Sequence, residues 1–226
     1  MIKLFAHRGF VADLHPQNSI ASLKEAVLQG FSAVEFDIWF FAEKLFLKHD
    51  QPVLNEVNIL PELADYFYYK NDLTYWMDFK NLDAENCDLA LFQVKNAIEA
   101  AQIKLDQIYF APFITDLQKA EKIFAEIRNI FGSKAKIVAV CESFINDKAA
   151  SELKKFLDRN KIKALSIFHQ LLNKNSLEIF SGIEIFAWTI NDLERLRELE
   201  SLGVKNFATD KITPQIYAQT NLSRTS

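Results

Sequence analysis

The feature that most limits the fold is a strict alternation of two patterns along the chain. Short apolar, strand-like segments begin near residues 3, 33, 74, 107, 136, 164, 184 and 206, and each but the last is followed by a stretch with helical spacing of apolar residues. The spacing predicts strands over 2–6, 33–39, 73–79, 107–111, 136–140, 164–168, 184–189 and 206–208, with a short extra strand at 44–48. Helices are expected from a cap at Asn18 or Ser19 to Gln29, and over 60–69, 84–101, 115–131, 147–160, 171–180 and 192–202. Alternation of this kind implies parallel strands joined by right-handed crossovers. Eight such units in 226 residues favour a closed (β/α)8 TIM barrel. An open doubly wound sheet is the alternative, but the sequence has no G-x-G-x-x-G and no Walker motif to go with it.

A single domain over residues 1–218 is expected, with a frayed tail at 219–226. Half of the residues are apolar, enough for a substantial core. The formal net charge of −4 gives no basic surface for nucleic acid. No apolar run reaches the roughly 20 residues of a membrane-spanning helix. His7-Arg8 stands too near the start for a signal peptide before it, so a cytoplasmic location is the expectation. Cys87 and Cys141 are too few for a disulfide framework and lack C-x-x-C spacing, so both are read as buried thiols. No feature of the sequence argues for a particular oligomeric state.

In a barrel of this kind, sites lie at the carboxyl ends of the strands. His7 and Arg8 end the first strand, and Glu35 and Asp37 lie in the second half of the next. His49 ends the extra strand, Asp78 and Lys80 end the third main strand, and Trp188 and Thr189 end the seventh. Glu35 and Asp37 are one residue apart, so on a strand they face the same side. Two acids on one face are costly to bury without a positive partner, and a hard divalent cation suits their oxygens. His15 and His169 are read as ordinary loop and rim residues.

The ordered segments Ala6-His-Arg-Gly9, Pro16-Gln-Asn18, Glu35-Phe-Asp37, His49-Asp50, Asp78-Phe-Lys80, Ala187-Trp-Thr-Ile-Asn191 and Ala208-Thr-Asp210 resemble the signature of the glycerophosphodiester phosphodiesterase family. The resemblance runs from residue 6 to residue 210. It implies metal-dependent hydrolysis of glycerophosphodiesters to sn-glycerol 3-phosphate and an alcohol. By position, His7 and His49 would be the acid and base, and Glu35, Asp37 and Asp78 the ligands of Mg²⁺ or Ca²⁺. Arg8 and Lys80 would bind the phosphate, Gln17 would orient Arg8, and Trp188 would form an apolar wall for the alcohol. Asn18 is read as a helix cap.

The sequence departs from the family pattern at three places. Gln17 stands where a Glu is usual, and Asp78 where a Glu is usual. The segment after Asp50 lacks most of the usual insertion subdomain. Two further readings follow. One is a phosphatidylinositol phospholipase C-like enzyme, against which the carboxylate cluster argues. The other is a degenerate barrel that binds a phosphorylated ligand without turning it over.

Overall fold

A computed structural model describes residues 2–11, 14–69, 72–144 and 146–222, with 220–222 described by backbone alone. Nine strands form one sheet: β1 (Lys3–His7), β2 (Ala33–Phe41), β3 (Lys44–Leu47), β4 (Thr74–Phe79), β5 (Ile108–Pro112), β6 (Lys136–Cys141), β7 (Ala164–Phe168), β8 (Glu184–Trp188) and β9 (Asn206–Thr209). Eight are parallel and run β1-β9-β8-β7-β6-β5-β4-β2, and the β1–β2 pairing closes the ring. The ninth, β3, folds back antiparallel on the far half of β2. The closed (β/α)8 barrel expected from the alternation is the fold.

Eight α-helices surround it: α1 (Ile20–Leu28), α2 (Leu63–Tyr69), α3 (Cys87–Ala100), α4 (Leu117–Phe131), α5 (Asp147–Arg159), α6 (Lys174–Ile179), α7 (Leu193–Ser201) and α8 (Pro214–Leu222). The strand and helix positions agree with the sequence pattern to within a few residues. Two expectations change. The last strand does have a helix after it, and α8 carries regular backbone through Leu222, well into the expected frayed tail. Residues 223–226 of that tail lie outside the described residues. The 171–180 segment is a short 3₁₀ turn over 169–171 followed by the shorter α6.

Side chains on a strand alternate between faces, so each barrel strand sends one column inward. Phe5, Trp76, Tyr109 and Phe186 meet there with ring centroids 4.9–6.2 Å apart. Ala33, Ala111, Val138, Val140, Ala164 and Ala208 fill the space around them. This aromatic plug closes the interior and makes a floor. The next inward positions above it are His7, Glu35, Asp37 and Asp78, all of them buried. The strand register sets them level, with His7 beside Glu35 and Asp37 beside Asp78.

Candidate active site

A small cavity, partly open to solvent, lies over the plug and is lined by His7, Arg8, Glu35, Asp37, His49, Asp78, Lys80 and Trp188. Every residue expected at the site is on this list except Gln17, which stands behind Arg8. Gln17 accepts a 2.7 Å hydrogen bond from the Arg8 guanidinium. Arg8 also lies 3.0 Å from Asp37 through Nε.

The turn after β1 is tight. Arg8 has φ 55° and Gly9 φ 73°, both left-handed. A Cβ at Gly9 would come within 2.3 Å of Ser22 Oγ, the hydroxyl that donates to the Arg8 carbonyl. Glycine is therefore required at that position. The turn points the Arg8 backbone N–H at Glu35 Oε2, 2.9 Å away. Asn18 is not the cap of α1. Ser19 caps it in a reciprocal pair with Ser22, while Asn18 grips Asp37 with both ends of its amide, at 2.8 and 3.0 Å.

The three carboxylates are 1–8 % exposed, and each offers an oxygen within 4.8 Å of the others. Lys80 Nζ sits between two of them, 2.7 Å from Asp37 Oδ1 and 2.9 Å from Asp78 Oδ2. Burial raises the Glu35 carboxyl well above its ordinary value, and the charges of Asp37 and Asp78 add to this. Burial likewise pushes Asp78 up to about 7 against the pull of Lys80. Asp37 goes the other way: burial would raise it, but Lys80, Arg8 and the Asn18 hydrogen bond hold it below the usual carboxylate range.

Three acids thus face two fixed cations. Asp78 Oδ1 is buried with no hydrogen-bond partner. An oxygen-only set with surplus negative charge and an orphaned oxygen fits a hard cation. The cluster is compatible with a metal ion.

His7 is held from both sides. Its Nδ1 lies 2.7 Å from Asp210 Oδ1, and its Nε2 lies 3.4 Å from Thr189 Oγ1 and 3.8 Å from Glu35 Oε2. Asn191 fixes Asp210 in turn, at 2.9 Å. Burial would raise the Asp210 carboxyl, but the His7 contact and the Asn191 hydrogen bond hold it below its ordinary value. His49 is more open, with Nδ1 2.8 Å from Asp50 and its carbonyl accepting from Trp39 Nε1 at 2.9 Å. Each histidine therefore presents Nε2 with Nδ1 set against an aspartate.

His169 meets Phe168 edge to face outside the cavity lining, and His15 lies 3.8 Å from Glu25. Both keep their ordinary reading. Asp210 entered the sequence reading only as part of a motif, without a role, and Phe113 and Glu142 were not singled out by it. The signal for each was positional: it continues the inward column of its strand beyond Ala208, Ala111 and Val140.

No family model matches the chain, and no curated protein matches it in sequence. Solved structures do match in shape. A glycerophosphodiester phosphodiesterase from Parabacteroides distasonis superposes with a TM-score of 0.77 at 18% identity, over 99% of this chain and 98% of that one. A phosphodiesterase from Oleispira antarctica, in complex with the product sn-glycerol-3-phosphate, gives 0.79 at 15% over 97% and 96%. The glycerophosphodiester phosphodiesterase of Thermotoga maritima gives 0.73 at 18% over 98% of each chain. The likeness is one of fold, and it is end to end. No helix among the described residues is long and apolar enough to cross a membrane.

Proposed function

We propose that the chain is a metal-dependent phosphodiesterase of the glycerophosphodiester phosphodiesterase family, releasing sn-glycerol 3-phosphate and an alcohol. One observation carries the reading: two histidines, each with Nδ1 against an aspartate, line the same cavity as three clustered carboxylates. The family signature in the sequence and the shared fold support it.

Glu35, Asp37 and Asp78 would hold the cation, Mg²⁺ or Ca²⁺. A hard divalent ion bound there supplies Lewis-acid polarisation of a phosphoryl oxygen. His7 Nε2 and His49 Nε2 exchange protons with the reaction. One takes the proton of the attacking hydroxyl, from water or from the substrate's own neighbouring hydroxyl, and the other gives a proton to the leaving alcohol. Asp210 fixes the tautomer and ring angle of His7, and Asp50 those of His49. Arg8 and Lys80 present positive charge to the phosphate, each steadied by a carboxylate. Trp188 walls the side where the alcohol leaves.

Release of glycerol 3-phosphate from a panel of glycerophosphodiesters, with Mg²⁺, with Ca²⁺ and with EDTA, tests this. Metal-dependent release, lost in His7→Ala and His49→Ala, is the expected result. Near-normal turnover in both variants overturns the mechanism. No release from any diester, with bis-p-nitrophenyl phosphate also untouched, overturns the enzyme reading in favour of a binding-only barrel.

A further inference from the structure

The inward column of β6 runs Val138, Val140 and then, one step past the strand, Glu142 at the cavity mouth. Neither histidine nor the carboxylate cluster uses this acid. Phe113 stands beside it, bridging to Val140 while the Ile114 N–H donates to the Val140 carbonyl at 2.9 Å. Trp188 tops the β8 column of the same cavity, its ring centroid 5.4 Å from that of Phe168.

Four acids line the cavity. Glu35, Asp37 and Asp78 share Arg8 and Lys80. Glu142 makes no ion pair or hydrogen bond among the described residues, and it is exposed. Lys80 is engaged by Asp37 and Asp78 and packs against Phe113. The Lys80 ammonium lies 4.6 Å from the centroid of the Phe113 ring, so the ring takes one face of that cation. The cavity thus has one pole where Arg8 and Lys80 are shared among three carboxylates, and elsewhere on its lining one unpaired carboxylate and the indole of Trp188.

We infer that Glu142 and Trp188 form a subsite for a cationic alcohol group, making the preferred diester one whose leaving alcohol carries a primary or quaternary ammonium. This rests on the phosphodiesterase reading. A diester with a negative phosphate and a positive alcohol would set its phosphate toward Arg8 and Lys80 and its ammonium toward Glu142 and Trp188. An ammonium gains both from a carboxylate and from an aromatic face, whereas a neutral alcohol gains from neither. Glu142 is a specificity residue here, outside the proton transfers.

The readout is the ratio of kcat/KM for glycerophosphocholine and glycerophosphoethanolamine to that for glycerophosphoglycerol, in the native chain and in Glu142→Gln. The same ratio is taken as dissociation constants by calorimetry. The native chain should favour the cationic diesters, and Glu142→Gln should lower the ratio roughly three- to fivefold, as an exposed charge pair allows. The preference should also shrink as salt rises. An equal ratio in the two proteins, or no preference in the native chain, overturns the subsite. If no diester is hydrolysed, the phosphodiesterase reading fails while the calorimetric ratio still decides the subsite. No binding of any diester overturns both.

Discussion

Replacing Asp210 by Asn removes one charge and keeps the shape. Asp210 is the acceptor 2.7 Å from His7 Nδ1, with Asn191 holding its other oxygen. An asparagine can turn its NH₂ toward Nδ1 and favour the wrong tautomer, leaving Nε2 protonated when it should accept. A hydrogen bond to a charged partner is worth about 1.5–3 kcal/mol. With one factor of ten per 1.36 kcal/mol, full loss in the transition state lowers kcat roughly 10- to 150-fold. Because Asp210 touches His7 and is not among the residues lining the cavity, KM should change little. The assay is steady-state release of glycerol 3-phosphate at saturating metal. Stability should also respond at low pH. The Asp210 carboxyl is held below its unfolded value, so its contribution is present above about pH 4 and is lost as pH falls through the lower folded value. The variant should therefore melt below the native chain at neutral pH, and the gap should close in acid. A kcat within twofold of native would refute the positioning of His7 by Asp210.

Three further outcomes follow from the carboxylate cluster. Adding Mg²⁺ or Ca²⁺ at a hundred times its dissociation constant should stabilise the fold by about 2.7 kcal/mol, raising the melting temperature, and Asp37→Asn should abolish the rise; a metal-independent melting curve counts against the site. Lys80→Met removes the ammonium between Asp37 and Asp78 and should cost about 3–5 kcal/mol without metal, a drop of roughly 10 °C. A melting temperature within about 2 °C of native would show that the pair carries little. Finally, Asp78 binds its proton up to about pH 7 when folded but releases it near 4 when unfolded. Folded chains then hold more protons, so metal-free stability should fall as pH rises from about 4 to about 7, and Asp78→Asn should flatten that slope. A rising or level curve in the native chain would contradict the assignment.

The barrel was legible because each strand and helix carries its own local signal: apolar runs for strands, 3.6-residue spacing for helices, and Ser19 or Asp116 at their starts. The site was legible wherever a rare residue type ended a strand, as with His7, Glu35, Asp37 and Asp78. What escaped depends on contacts between distant segments. Asn18 looks like a cap because it precedes a helix, yet its side chain is drawn to Asp37 across 19 positions. Asp210 was visible as part of a motif, but its role appears only when β9 lies beside β1. Glu142 has no motif and comes from counting inward positions along β6, a count that needs the exact end of Val140. The helix α8 was missed because its apolar residues show almost no one-sided pattern.

The His7–Asp210 contact joins residues 203 positions apart, at the seam where the first and last barrel strands meet. If His7 carries the proton as proposed, its positioning depends on β9 having docked beside β1. During synthesis the first 80 residues carry the three clustered carboxylates, both cavity histidines and the cations Arg8 and Lys80, yet on the proposed mechanism the emerging protein should stay inert until β9 leaves the ribosome and docks. In a folded molecule the same seam should act as a fuse: if the terminal strand frays, turnover stops while the other seven parallel strands remain paired.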